Sequence, residues 1–170
     1  MRRRIALAMA LALCAAAPGA ATPAHRGWAR LTLSPGFSTG PAYSLAVPPG
    51  VVRKPIEGID SDVAALEGPG LRMFFDYGPY GGLPACAGRP NCTERAARIG
   101  GRPARIVLRQ GPSDGQPQAT SALFAYVRLG GAMSLAVQAY CADAAACARA
   151  ADIVRTIAFA RSPRPSSGHR

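Results

Sequence analysis

Four of the five cysteines stand in two pairs with the same spacing, and their chemistry limits what this chain can do. Cys86 and Cys92 are separated by five residues, and so are Cys141 and Cys147. Zinc knuckles place about two to four residues between paired cysteines, so a zinc site is disfavoured. Neither pair is the Cys-x-x-Cys motif of disulfide oxidoreductases, which disfavours redox catalysis. The cysteines therefore indicate structural disulfides.

Four cysteines permit three disulfide pairings, and two physical arguments favour different ones. Loop-closure entropy favours a bridge from Cys86 to Cys141, worth about 4 kcal/mol against about 2.4 kcal/mol for a seven-residue loop. Local geometry favours the short loops, because Arg89-Pro90-Asn91 makes a turn that brings Cys86 toward Cys92. Cys141 and Cys147 can meet where a strand runs into a helix. We predict the pairs Cys86 with Cys92 and Cys141 with Cys147.

The inventory of catalytic side chains is small. The histidines are His25 and His169, near the two ends of the chain, so a serine or cysteine nucleophile has no credible base. A carboxylate-dependent hydrolase that uses Asp60, Asp62 or Asp76 is the enzyme hypothesis that remains. Asp60 and Asp62 lie with Glu57 and Glu67 in the densest acidic cluster, which could also hold calcium. The cluster lacks the glycine-turned ligand loop of calcium sites, and solvated or capping acids are the simpler interpretation. We predict no catalytic residue, no metal and no cofactor.

Five arginines fall in a short segment that follows Glu94, the one acidic residue close enough in sequence to offset them. Planar guanidinium groups bind phosphate and carboxylate in a fixed geometry. One hypothesis is therefore an anion-binding face built on Arg102, Arg105 and Arg109. The alternative is a solvated sheet face whose arginines pair with the aspartates named above.

The first residues are typical of an export signal. Met1 to Arg4 is positively charged, Ile5 to Ala17 is an unbroken apolar run, and small residues follow. We predict a signal peptide over residues 1–21, with cleavage after Ala21 or Ala24. The apolar run has 13 residues, whereas a membrane span needs about 20, so no transmembrane span is expected in the mature chain.

Export changes the charge that the protein presents. The full chain has 20 basic and 9 acidic residues, a net charge of +11. Cleavage removes three arginines, leaving 17 basic against 9 acidic residues and a charge of +8. Such a protein attracts anionic lipid or cell-wall polymer, whereas nucleic acid is rarely met outside the cytoplasm. Lipidation at Cys14 is a less favoured alternative, because bulky Leu13 stands where lipoprotein boxes have a small residue.

Short strands must position most of these side chains, because apolar and polar residues alternate along much of the chain. Glycine pairs mark two of the tight turns, since both residues can take positive φ. A loop rich in glycine and proline follows the first hairpin, and Thr93 to Arg98 adds one helical turn. The predicted strands are residues 27–33, 43–47, 56–67, 71–77, 98–99, 102–110, 119–129 and 132–140.

The C-terminal segment predicts one helix. Asp143 can cap it, and the apolar positions that repeat at helical spacing are Cys147, Ala150, Ala151, Val154, Ile157 and Ala158. The fold class is therefore α+β, with an antiparallel sheet of about six or seven strands covered by a C-terminal helix. Residues 25–160 form a single domain, and residues 161–170 are a disordered basic tail.

The order of several short motifs resembles a known architecture. YSLAVPPG, GIDSDV, MFFDYG and GGRPARIV are followed by a strand, a cysteine, a helix and TIAF. This order of motifs, from Tyr43 to Phe159, resembles small exported bacterial domains of unassigned function, and the arrangement of antiparallel strands with a helix at the end is similar to the Mog1/PsbP-like α/β/α sandwich. The resemblance implies a non-catalytic assembly or accessory module and transfers no site residue.

The sequence thus predicts an exported, disulfide-stapled binding or accessory module of the bacterial envelope, periplasmic or secreted. Its partner is an envelope protein or an anionic surface, not nucleic acid. Two alternatives stand beside this prediction: a binder of lipid or cell-wall polymer through the arginine face, and the carboxylate-dependent hydrolase.

Overall fold

The computed structural model describes residues 25–36, 40–84, 86–112 and 115–160. The predicted signal peptide, its cleavage positions, Cys14, His169 and the predicted tail lie outside these residues. The described residues form ten strands and one helix, and the strand pairs are antiparallel, which confirms the α+β class. The elements are β1 Ala29–Leu33, β2 Tyr43–Val47, β3 Val52–Lys54, β4 Asp62–Gly68, β5 Leu71–Gly78, β6 Cys92–Ile99, β7 Arg102–Gln110, β8 Ser121–Gly130, β9 Met133–Cys141, α1 Ala144–Arg155 and β10 Ala158–Phe159.

The strands form two sheets rather than the single sheet that we predicted. The main sheet has seven strands in the order β3-β4-β5-β9-β8-β7-β6, and the small sheet has three in the order β1-β2-β10. β10 follows the helix and pairs with β2, so Phe159 lies opposite Tyr43. Alternation predicts which side chains share a face of a strand, but it does not specify the sheet that the strand joins.

One local prediction was wrong, and one strand was missed. Thr93 to Arg98 lies inside β6, not in a helical turn, because this segment pairs along its length with β7. Its alanines and arginines favour a helix, but long-range pairing overrides that preference. The short edge strand β3 was not predicted, since its residues are exposed and show no alternation.

The glycine turns and the helix cap agree with the predictions. Gly130 and Gly131 have φ angles of 112° and 58°. These positive φ angles let the chain reverse in a tight hairpin between β8 and β9. The Asp143 carboxylate Oδ1 accepts a hydrogen bond of 2.7 Å from the Ala146 N–H and so caps α1. The buried stripe of α1 consists of Ala146, Ala150, Ile153 and Val154. Ile157 and Ala158 were wrongly placed in that stripe, because α1 ends at Arg155 and Ala158 belongs to β10.

A single large core cluster joins the helix, the small sheet and one face of the main sheet, which we call the core face. α1 contacts β9, β8 and β5 of the main sheet and β2 of the small sheet. The Ala46 N–H donates to the Thr156 Oγ1 at 2.8 Å, which ties β2 to the end of α1. The largest buried side chains include Leu45, Leu66, Met73, Phe75, Tyr77, Leu123, Leu135 and Ile153.

The Cys141–Cys147 disulfide joins the end of β9 to the second turn of α1, with the Cα atoms 5.3 Å apart. Cys141 is fully buried, so the bridge lies at the edge of the core. It is the pairing predicted from local geometry, and it fixes the point at which the helix leaves the sheet.

We expect Asp143→Ala to lower the free energy of unfolding by about 1 kcal/mol, because the Ala146 N–H loses its acceptor and the N-terminus of α1 loses a nearby negative charge. Asp143→Asn preserves an acceptor oxygen and should lose much less. Urea denaturation of the two oxidised variants measures the difference. Equal losses would contradict a capping role for the side chain.

Candidate functional site

The second face of the main sheet, which we call the outer face, presents three rows of side chains that each cross six strands. Residues opposite one another in an antiparallel ladder point to the same face, so the rows follow from the register. The residues are given in the strand order β4, β5, β9, β8, β7, β6. The first row is Glu67, Arg72, Tyr140, Ala122, Arg109 and Cys92, and the second is Ala65, Phe74, Gln138, Phe124, Val107 and Glu94. The third row is Val63, Asp76, Ala136, Tyr126, Arg105 and Ala96.

Three aromatic rings and two arginines form a continuous line across this face. Tyr140 meets Phe74 and Phe124 edge to face, with ring centroids 6.2 Å apart in both pairs. The Arg72 guanidinium lies 4.8 Å from the Phe74 centroid, and that of Arg109 lies 6.0 Å from the Phe124 centroid. Edge-to-face and cation–π contacts hold these side chains in defined positions. We call the five residues the arginine–aromatic ladder.

The charges on the outer face are unequally balanced. Arg72 pairs with Glu67 at 3.0 Å, and the Arg105 Nε donates to Glu94 at 2.6 Å. Both pairs are exposed to solvent, where such pairs contribute about 0–1 kcal/mol. None of the ion pairs within the described residues includes Arg109. Arg72, the other cation of the ladder, is paired with Glu67.

The loop between β5 and β6 lies across the middle of the outer face. A Cβ on Gly81 would stand 3.0 Å from the Ser134 Oγ, so the loop backbone runs directly over β9. Further along, Leu83 and the Cys86–Cys92 disulfide pack against Val107, Ala122 and Phe124. The Arg89 N–H donates to the Cys86 carbonyl at 3.0 Å, which closes a turn over residues 86–89, earlier than the Arg89-Pro90-Asn91 turn that we predicted.

One end of the ladder stays accessible beside this loop. Arg72 is exposed, and Phe74 and Tyr140 are half-buried. A cavity of about 320 Å³ opens here, lined by Arg72 and Tyr140 together with Gln116 and Gln118. Guanidinium, phenol and amide groups therefore meet around one concave surface.

The structure brings together two of the three arginines predicted to bind anions. Arg105 and Arg109 lie on the outer face, where Arg109 belongs to the ladder. Arg102 lies opposite Ile99 on the core face, where its Nη1 donates to the Leu129 carbonyl at 2.9 Å and its guanidinium lies 5.3 Å from the Phe159 ring centroid. The alternation of β7 already separates Arg102 from the other two.

Sequence reasoning missed the other members of the ladder. Arg72, Phe74, Phe124 and Tyr140 come from three strands that are distant in sequence. Alternation does place Arg72 and Phe74 on one side of β5. Their neighbours are set by the insertion of β9 between β5 and β8, which no local pattern specifies.

The predicted hydrolase acids do not converge. Asp60 is exposed, and Asp62 and Asp76 occupy opposite faces, because they pair with Tyr77 and Val63 respectively. The Asp76 Oδ1 is buried and has no hydrogen-bond partner within the described residues.

The described residues contain no group of histidine, cysteine and acidic side chains suited to hold a metal. No α-helix in the described ranges has the length and hydropathy to cross a membrane.

A second cavity, of about 430 Å³, opens at the end of the core between β2, β4 and β5. Tyr43 and Tyr77 stack there with ring centroids 5.7 Å apart, and the Tyr77 hydroxyl donates to the Pro41 carbonyl at 3.1 Å. Burial raises the pKa of both phenols above the ordinary value, although the Arg53 charge lowers the pKa of Tyr43 in part. The Asp62 Oδ1 accepts from the Gly36 N–H at 2.5 Å on the same side.

The raised pKa of Tyr43 predicts a loss of stability at alkaline pH. As the pH rises, the Tyr43 phenol ionises in the unfolded chain before it ionises in the folded protein. Its contribution to the free energy of unfolding is therefore fully present below the ordinary pKa of 10.0 and is lost as pH rises above that value. Between about pH 9 and about pH 11, the free energy of unfolding should therefore fall less steeply in Tyr43→Phe than in the wild type. Urea denaturation measures both slopes. A Tyr43→Phe slope equal to those of the wild type and of the exposed control Tyr80→Phe would contradict this.

Comparison of this chain with protein-family models, with curated proteins and with solved structures finds no significant match.

Proposed function

We propose that this protein is an exported, non-catalytic binding module of the bacterial envelope, and that the arginine–aromatic ladder binds an anionic cell-wall polymer. The observation that supports the proposal is the continuous line of rings and guanidinium groups across the outer face, which is accessible at Arg72, Phe74 and Tyr140.

The chemistry of the ladder suits a polymer that has both sugar rings and acidic groups. Aromatic rings offer flat apolar surface to the apolar faces of a sugar, and their energetic contribution at binding surfaces is large. Guanidinium groups bind carboxylate, sulfate and phosphate through paired hydrogen bonds. A net charge of +8 after removal of the predicted signal would also attract a polyanion over long range.

Two observations support binding rather than catalysis. The candidate acids lie on different faces of the sheet, which is unsuited to paired-carboxylate chemistry. Both disulfides join neighbouring structural segments, one at the loop over the outer face and one at the start of α1. The resemblance to Mog1/PsbP-like domains, which implies an accessory role, is consistent with this proposal.

The proposed envelope location rests on two features. Disulfides persist in oxidising compartments such as the periplasm and the extracellular medium. The charged, apolar and small-residue regions at the start of the chain are arranged as in a secretory signal. The protein is then periplasmic or secreted, where cell-wall polymer is abundant.

We expect Arg109→Ala to weaken binding of the oxidised protein to heparin, a sulfated polysaccharide, by about tenfold at low salt, because one charge-assisted hydrogen-bonding group is lost. Arg95→Ala is the matched control, because it removes the same charge from β6 opposite Ile106, away from the outer face. The control should change the affinity by about twofold or less. Isothermal titration calorimetry measures both affinities.

A second comparison separates ring stacking from charge. Phe74→Leu keeps an apolar side chain but removes the ring, so it should weaken binding to heparin and leave binding to polyphosphate, which has no sugar rings, unchanged. Equal effects of Arg109→Ala and Arg95→Ala, or tighter binding to anionic lipid vesicles than to heparin, would contradict the proposed ligand.

A further inference from the structure

The two edges of the main sheet are built differently. β3 has three residues and Pro55 follows it, and a short edge strand that ends at a proline offers little for another strand to pair with. β6 has eight residues, contains no glycine or proline, and pairs with β7 without interruption. A long and regular edge strand is a template for pairing with another chain. The β6 edge is therefore the part of the sheet best suited to accept a further strand.

The backbone of β6 has unused hydrogen-bonding groups. The Gln110 N–H donates to the Asn91 carbonyl at 2.9 Å, and in an antiparallel ladder every second residue repeats this bonding. The residues between them direct their N–H and C=O groups away from β7. No strand lies beyond β6 in the part of the chain that the structure describes. The residues whose backbone groups face this free edge are Cys92, Glu94, Ala96 and Arg98.

The side chains of this edge are complementary to a second copy of themselves. If two β6 strands pair antiparallel about a two-fold axis at Ala96, Glu94 of each copy lies opposite Arg98 of the other. In the same register Arg95 lies opposite Ala97, so no like charges are directly opposed. An axis at Arg95 would instead oppose two arginines, and an axis at Glu94 would oppose two glutamates. The charges of β6 therefore favour the register centred on Ala96.

Glu94 and Arg98 can make these contacts without giving up those that they already have. Arg105 contacts the Glu94 Oε1 through both its Nε and its Nη2, which leaves the Glu94 Oε2 to accept from a second copy. The Arg98 Nη2 donates to the Gly101 carbonyl at 2.6 Å, and the Nε and Nη1 of Arg98 make no hydrogen bond within the described residues. Both residues are exposed, so the new ion pairs would add little affinity and would mainly select the register.

We infer that this protein forms a two-fold symmetric homodimer in which the β6 edges of two copies pair antiparallel and join the two main sheets. Glu94 with Arg98 of the second copy, and Ala96 with its own counterpart, each exchange two backbone hydrogen bonds. A contact limited to one pair of strands is small among specific interfaces, so the dimer dissociates on dilution. The interface uses no residue of the arginine–aromatic ladder, so it stands or fails independently of the proposed ligand.

Sedimentation velocity of the oxidised protein, from micromolar to millimolar concentration, tests the inference. It should show a monomer that converts to a dimer as the concentration rises. Ala96→Pro should remove the dimer, because proline lacks the N–H at the centre of the interface. The substitution breaks no bond to β7, since the Ala96 N–H faces the free edge. A monomer at every concentration, or a dimer that Ala96→Pro leaves intact, would overturn the inference.

Charge variants test the register and do not depend on how well a proline is tolerated. Arg98→Glu opposes like charges at both ends of the interface and should raise the dimer dissociation constant by about tenfold or more. Adding Glu94→Arg restores opposite charges and should recover most of this loss. Arg53→Glu makes the same charge change on the other edge strand, β3, and should dimerise like the wild type. Equal effects of Arg98→Glu and Arg53→Glu, or no recovery in the double variant, would overturn the assigned pairing.

Discussion

The rest of the structure depends on the pairing of β9 with β5 on one side and β8 on the other. β9 is buried on both faces between Ser134 and Val137, so it cannot slide without exposing apolar side chains. A slip of one residue would move Tyr140 to the core face and break the line of rings. The same register sets Cys141 opposite Leu71 and Ser121, at the point where α1 begins. The packing of the core, the position of the helix and the arginine–aromatic ladder therefore all depend on the register of β9.

The two faces of the main sheet are used in different ways. The core face packs into a cluster with α1 and the small sheet, and its apolar residues leave little area for recognition. The outer face has a much smaller cluster of Val107, Ala122 and Phe124 beneath the disulfide-linked loop. The loop is rich in glycine and proline and its described residues belong to no strand, and the Cys86–Cys92 bridge restrains it at one end. Part of the face is thereby sealed, and the part with Phe74 and Tyr140 remains open.

The parts of the fold that sequence could predict are those with local causes. The glycine pair at Gly130 requires a tight turn, Asp143 satisfies the helix amides, and six-residue separations bring each cysteine pair within reach. The order of strands has no such local cause, which is why β1 and β2 were wrongly placed in the main sheet. For the same reason Thr93 to Arg98 was taken for a helical turn. Arg105 and Arg109 were placed correctly on one face of β7, but their aromatic neighbours were beyond the reach of any local pattern.

The most direct test of the account is to map, by amide chemical-shift changes, where a heparin oligosaccharide contacts the isotopically labelled, oxidised protein. The account predicts shifts concentrated on β5, β9 and β7 around Arg72, Phe74, Tyr140 and Arg109, with α1 and the small sheet unaffected. Shifts spread evenly over the basic surface, or concentrated around Arg95, Arg149 and Arg155, would contradict it. In that case the ladder would be a packing feature of the sheet and not a binding surface.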